Sequence, residues 1–347
     1  MARLSPKMPE LPPVVHAVGF SAWKRPIVRK FLRDKLVIFV RNTARIPAGS
    51  TVLVWGRRVL EGNDLRIIRV EDGFIRSVGL GAHLTPPLSW VFDPVGIYYD
   101  AGAPSYLERL IETAAFDDVL IERAARLRER LVADDVTKYN TGTRAWQRPE
   151  NGKRVILVPG QVETDASVQF GSPHTTKNLD LLARVRESNP DSYIVYKPHP
   201  DVMAGLRLGE KNYLDDAEAL CDEIVADASS AKILNAVDEV HTMTSLMGFE
   251  ALLRNKKVVC YGAPFYAGWG LTTDLFPIER RVRRVSIDEL VCAALLVYPR
   301  YIDLRGTRDV TAEETLDTIK EWKKSEERKT RGFPRAILDF FLRMRAY

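Results

Sequence analysis

Cysteine is scarce in this chain. The three present in 347 residues, Cys221, Cys260 and Cys292, are unevenly spaced and form no C-x-x-C pair. Neither a disulfide framework nor a zinc site is expected, and all three read as core thiols. Long hydrophobic runs are missing too, none approaching the roughly 20 residues of a membrane span. The stretch "MARLSPKMPELPPVV" lacks the apolar segment and small-residue cleavage site of a secretory leader, so a cytoplasmic location is expected. There is no D-x-D triplet and no G-x-x-x-x-G-K-[ST] loop, and "GLGAHL" lacks the third glycine of a dinucleotide fingerprint. These absences count against nicotinamide and metal-chelated nucleotide-sugar chemistry, since hard cations want clustered carboxylates; no cofactor and no metal are expected. No signature of a known nucleic-acid module appears, so no nucleic-acid partner is expected either.

What is present fits a globular protein: 46% apolar and 28% charged residues, a balance unlike that of disordered chains. The length suits two domains of roughly 150 residues each. The net charge of +5 and pI near 9.0 suit an anionic ligand, an acidic membrane face, or simple solubility. Short apolar runs ("VVHAVGF", "KLVIFV", "TVLVWG", "LRIIRVEDG", "LSWVFDPVGIYYD") with "KRPIVRKFLRD" among them predict parallel strands with crossover helices. "SYLERLIETAAFDDVLIERAARLRERLVADD" predicts a helix pair opened by a serine. The polar stretch "TKYNTGTRAWQRPENGKR" reads as a linker. Beyond it, strand and helix alternate from "RVILVPG" to "KKVVCYG", the pattern of βαβ winding. The expected units are residues 1–148, 149–312 and a helical segment 313–347, with two wound domains facing one cleft.

In open parallel sheets the ligand crevice lies outside the carboxyl ends of the strands, and four motifs follow predicted strand ends. "VPGQVETDASVQFGSP" places Gln161, Glu163, Asp165 and Ser167 in one loop; its two carboxylates can divide the work of nucleophile and base, or simply cap a turn. In "YKPHPD" the flanking prolines stiffen the backbone around His199, which can protonate a leaving group, while Lys197 can neutralise an anion. A buried histidine satisfied by backbone is the plainer alternative. "HTMTSLMGFEALLRN" offers Thr244 and Ser245 at a helix start suited to phosphate, with Glu250 placed for ribose hydroxyls; threonine and serine also cap helices everywhere. "VVCYGAPFYAGWGLTTD" is a glycine and aromatic loop that can approach a flat base, or fill the core.

Taken in order, "VLVWGRR", "VEDGFIRSVGLGAHLTPPLSWVFDPVGIYYDAGAPSYLERLI", "GQVETDAS", "YKPHPD" and "TSLMGFEALLRNKKVVCYGAPFYAGWGLT" resemble the bacterial capsule β-Kdo transferases of the KpsC type. Those enzymes add 3-deoxy-D-manno-oct-2-ulosonic acid (Kdo) to the lipid terminus of capsules and usually carry two such modules in tandem; this chain is long enough for one. The resemblance implies a GT-B-like α/β fold of two Rossmann-type domains, the first for a Kdo-terminated glycolipid acceptor and the second for the donor CMP-β-Kdo. It implies Thr244 and Ser245 on the CMP phosphate, Glu250 on the ribose, Tyr261 and Trp269 on the cytosine, and Gln161, Ser167 and Lys197 around the donor. A β-linked donor and product mean retention, and double displacement needs an attacking carboxylate. Asp165 is the expected nucleophile, Glu163 the base or orienter, and His199 the acid or phosphate partner. Glu71, Asp72, Arg76, Asp93 and Tyr98 are expected to meet the acceptor. "VGFSAWKRP" resembles the second module of the tandem proteins, which favours a β-2,7 over a β-2,4 linkage. The tail "RGFPRAILDFFLRMRAY" has the pattern of an interfacial helix on an anionic inner-membrane leaflet, or of a helix docked on the first domain; capsule assembly proteins are further expected partners. The competing readings are a nucleotide-sugar epimerase or hydrolase, and a Kdo-binding module without turnover, which has no need of Asp165, Glu163 and His199 together.

Overall fold

The computed structural model describes residues 10–60, 64–79, 84–140, 144–203 and 214–331, with side chains to residue 326. The tail discussed above therefore lies outside the described residues, save for the backbone of Arg331.

The first sheet takes β1 (Val14–Val18), β2 (Leu36–Phe39), β3 (Thr51–Trp55), β4 (Arg66–Asp72) and β5 (Ser89–Asp93). Strands β1 to β4 run parallel, but β5 is antiparallel to β4, where a wholly parallel arrangement was expected. Helix α1 (Lys24–Phe31) covers one face with Ile27, Val28 and Phe31, and Phe31 stacks on Trp90 with centroids 4.7 Å apart. The expected helix pair is α2 (Tyr106–Thr113) and α3 (Asp118–Ala133). Ser105 accepts the Glu108 N–H and Asp117 the Leu120 N–H, each satisfying a donor that a helix start leaves open.

The second sheet is wholly parallel. It contains β6 (Val155–Pro159), β7 (Tyr193–Lys197), β8 (Glu223–Ile224), β9 (Glu239–Thr242), β10 (Lys257–Cys260) and β11 (Thr273–Asp274), side by side as β11-β10-β9-β6-β7-β8. Counted from its own first strand this is the doubly wound order 3-2-1-4-5-6. The central β6 is buried at all five positions, as a strand covered on both faces must be. Its connections carry α4 (Ala166–Gly171), α5 (Asn178–Ser188), α6 (Pro200–Met203), α7 (Leu214–Glu218), α8 (Ser230–Ala236) and α9 (Leu246–Leu252). The winding reverses between β6 and β9, so the loops after these two strands flank the crevice where such sheets bind ligands.

The domain boundaries differ from those expected. After α10 (Ile287–Val291) and the wider helical turn Cys292–Val297, the chain returns to the first sheet. There β12 (Pro299–Ile302) pairs antiparallel with β5, and β13 (Asp309–Val310) pairs with β12. Residues 299–310 thus belong to the first domain although they fall within the expected second unit; they cover an edge of β5 that would otherwise stand open. Helix α11 (Ala312–Arg331) then lies along α3, with Arg123 gripping Glu313 through two bonds of 2.7 and 2.8 Å and Lys320 paired to Asp134 at 2.8 Å.

Asp93 is the knot of this return. Fully buried at the end of β5, it accepts the backbone N–H groups of Val95, Gly96 and Tyr106 and the hydroxyl of Tyr298 at 2.8 Å. Burial pushes its carboxyl above the ordinary aspartate value, opposed by these bonds. Asp93→Ala strands all four donors, and is expected to cost about 3 kcal/mol or more in urea unfolding; a loss below about 1 kcal/mol would remove Asp93 from this role.

Candidate active site between the two domains

A cavity of about 300 Å³ opens where the carboxyl ends of the two sheets face each other. Asp165 reaches it from the second domain. As the N-cap of α4 it accepts the Ser167 N–H at 2.9 Å and the Ser167 hydroxyl at 2.7 Å through one oxygen, so its carboxylate is oriented while still exposed. The far end of α4 is pinched: a Cβ on Gly171 would lie 3.0 Å from the Tyr99 carbonyl oxygen of the first domain and 2.9 Å from the Thr244 methyl. Only glycine allows that approach.

The clamped segment forms the adjoining wall. Gly160 donates to the Lys197 carbonyl at 2.8 Å, tying the β6 and β7 ends together. Lys197 points its ammonium at the carbonyls of Ala228 (2.8 Å) and Ala226 (3.2 Å), and burial lowers its pKa despite Asp227 nearby. The Nδ1 of His199 accepts the Asp201 N–H at 3.1 Å. In the neutral ring the proton is thereby assigned to Nε2.

At the reversal of the winding, Gln161 is spent on structure as well as lining the cavity. Its amide donates to the Thr244 hydroxyl and accepts the Thr244 N–H, both at 2.9 Å. Ser245 caps α9 through the Met247 N–H. Glu250, buried on α9, accepts the Lys138 N–H at 2.8 Å, and burial raises its carboxyl to about 7 against the pull of that bond, Arg254 and Lys138. From the first domain come Glu71, Asp72 and Tyr98. Asp72 is held by Arg76 at 2.7 Å and by the Trp90 indole at 3.0 Å. Glu71 rises to about 7 through burial and its neighbour Asp72, with the Asp72 N–H, Lys24 and Lys138 pulling the other way.

Ten expected residues thus share this cavity with Glu71: Asp72, Tyr98, Gln161, Asp165, Ser167, Lys197, His199, Thr244, Ser245 and Glu250. Five do not line it. Glu163 turns away to accept the Asn178 N–H at 2.8 Å and pair with Lys177 at 2.9 Å, fastening the start of α5. Trp269 is fully buried with its indole on the Phe265 carbonyl, and Tyr261 is buried beneath Arg184, so neither faces a base. Arg76 is buried on Asp72 and Ser77, and Asp93 is the knot described above. Sequence reading missed Lys138 and Tyr139, in the stretch taken for a linker. Their carbonyls accept the N–H groups of Ser77 (3.3 Å) and Gly79 (2.8 Å), which pins that stretch to the first domain and brings it into the cavity wall. It also missed Tyr99 and Asp201. The only hint was their adjacency to residues already singled out. Among the described residues no three His, Cys, Asp or Glu side chains gather to hold a metal, and no helix is long and apolar enough to cross a membrane.

With this geometry in view, residues 54–308 match the family model described as capsule polysaccharide biosynthesis protein. The chain belongs to the capsule polysaccharide biosynthesis family. Within it, this chain is 44% identical over 332 residues to the capsule polysaccharide modification protein LipA of Neisseria meningitidis serogroup A, covering 92% of this chain and 47% of LipA. It therefore spans about half the length of that relative. The lipopolysaccharide-processing protein LpsZ of Rhizobium meliloti is 39% identical over 312 residues, covering 84% of this chain and 71% of LpsZ. Two solved structures from Thermosulfurimonas dismutans KpsC share the fold. Its β-Kdo 2,7 transferase has a TM-score of 0.75 and 42% identity, covering 89% of this chain and 99% of that one. Its β-Kdo 2,4 transferase has a TM-score of 0.74 and 31% identity, covering 89% and 98%. The chain is accordingly a KpsC-type family member with two Rossmann-like domains in the GT-B arrangement.

The Glu250 carboxyl supplies a signed prediction. Because its folded value exceeds the ordinary 4.5, the folded state holds a proton that the unfolded state releases first. Stability therefore falls as pH rises from about 4.5 to about 7, by roughly 3 kcal/mol at most. Glu250→Gln keeps an acceptor for the Lys138 N–H and removes the titration. Thermal unfolding across that range is expected to decline less steeply in Glu250→Gln than in the wild type; identical slopes would contradict the assignment.

Proposed function

We propose that this chain is a retaining glycosyltransferase that moves Kdo from CMP-β-Kdo to a Kdo-terminated, lipid-linked acceptor. The observation that carries the reading is Asp165: an exposed carboxylate, oriented by Ser167 at a strand's carboxyl end, in one cavity with Lys197 and His199 beside it and Glu71 opposite. An Asp165 oxygen attacks the anomeric carbon of Kdo, and the bond to the CMP phosphate breaks with its electron pair leaving on CMP. His199, with its proton on Nε2, assists that departure. Ser245, Thr244 and Lys197 form the wall that receives the phosphate, and Glu250 the side toward the ribose.

In the second half an acceptor hydroxyl attacks the same carbon, displaces Asp165 and restores the β configuration. Glu71 takes the proton of that hydroxyl. A carboxyl held near 7 suits a base working at neutral pH, and Glu163, turned toward α5, is relieved of that role. Asp72 and Tyr98 border the acceptor's approach. The higher identity to the 2,7 transferase, 42% against 31% for the 2,4 transferase, supports β-2,7 linkage.

Incubation of the purified chain with CMP-β-Kdo and a synthetic Kdo-terminated acceptor is expected to yield one added Kdo, β-2,7-linked by NMR. A β-2,4 bond would overturn the linkage alone; an α-linked product would overturn retention, and release of CMP without transfer would favour a hydrolase.

A further inference from the structure

A strong local excess of positive charge lies near the start of this chain. Residues 24–45, "KRPIVRKFLRDKLVIFVRNTAR", hold eight lysines and arginines and one aspartate, against +5 for the whole chain, so the remainder is on balance acidic. The segment is α1, the edge strand β2 and the turn after it. Arg29, Arg41 and Arg45 are exposed. So are three large aliphatic side chains on the sheet face away from α1, reaching the same edge from the other side: Val14 at 43%, Leu36 at 61% and Ile38 at 40%. Val14 pairs with Leu36 in register, so the first two sit side by side. Below β2, Arg25 and Arg29 lie over the Phe39 ring at 5.2 and 5.1 Å, which holds guanidinium groups along the sheet edge.

Basic groups flanking exposed aliphatic side chains are the surface chemistry of an interfacial membrane contact, in which apolar groups enter the headgroup boundary and cations meet anionic lipid. We propose that this edge of the first domain, α1 with β2, docks on an anionic lipid surface. Its position suits the cleft. Lys24, at the start of α1, lies over the Trp55 ring at 3.2 Å and feels the charges of Glu71 and Asp72, so the basic segment begins at the cavity's first-domain wall and runs away from it. An acceptor with its lipid end in the bilayer would present its sugar end toward that wall. The docking itself is a matter of charge and apolar area, and it is tested without turnover, so its fate is separable from that of the proposed reaction.

Full-length chain is mixed with phosphatidylcholine vesicles, and with vesicles in which a third of that lipid is replaced by phosphatidylglycerol. Co-sedimentation is expected with the anionic vesicles only, weakening as salt is raised. Each arginine neutralised is expected to lower partitioning about fivefold, so Arg29→Gln, Arg41→Gln and Arg45→Gln combined should lower it about a hundredfold, and Leu36→Ser with Ile38→Ser should also weaken it. Circular dichroism and transfer to a short soluble acceptor should be unchanged in both variants. Three results would overturn the proposal: wild-type partitioning by the triple arginine variant; loss of binding with Phe340→Ser and Phe341→Ser in the tail but with neither surface variant; or binding to a soluble polyanion such as heparin with none to vesicles.

Discussion

The cavity depends on a backbone contact with no room for a methyl group. Helix α4 is six residues long, and its last residue, Gly171, is wedged between the Tyr99 carbonyl of one domain and Thr244 of the other. The Gly171 carbonyl accepts the Ala263 N–H at 2.7 Å, and the preceding Phe170 carbonyl accepts the Ala101 N–H at 2.9 Å, so the helix end is bonded into both domains at once. Asp165 caps the other end of the same short helix. Its place in the cleft is therefore set by the seam rather than by its own loop, and the two Rossmann-like halves cannot shift against each other there without moving it.

Electrostatics divides the cleft into two sides. Asp72 is neutralised by Arg76 and steadied by Trp90, while Glu71 and Glu250 are pushed toward neutral pH by burial. Lys197 contributes a cation whose hydrogen bonds go to carbonyl groups rather than to a carboxylate, so its charge stays available to an anionic ligand. An open carboxylate in one cavity with a lysine bonded only to carbonyl groups and a histidine of defined tautomer suits the breaking of a sugar–phosphate bond better than passive sugar binding.

Much of this was legible in the chain. The doubly wound second domain followed from strands such as "VILVP" alternating with helices, and the rule that crevices lie beyond strand ends led to Asp165, His199 and Thr244. What stayed hidden was the direction of side chains and the partners of distant backbone. Glu163 and Asp165 stand two apart in one loop, and nothing local says that the first turns back to cap α5. Trp269, among glycines, looks equally suited to a ligand or a core; its indole N–H found the Phe265 carbonyl. Lys138 and Tyr139 sat in a polar stretch whose composition matches a linker, yet their carbonyls pair with Ser77 and Gly79, about 60 positions away. The return of β12 to β5 is likewise a non-local pairing of a four-residue strand that carries no sequence mark of its partner.

The central claim is that Asp165 forms a bond to the sugar. Intact-mass and peptide analysis of the chain after brief exposure to CMP-β-Kdo, without acceptor, tests it most directly. The account predicts an added Kdo on the peptide containing Asp165, discharged on adding acceptor and absent in Asp165→Asn. An unmodified Asp165 in an enzyme that still makes β-linked product, or full activity in Asp165→Asn, would contradict it.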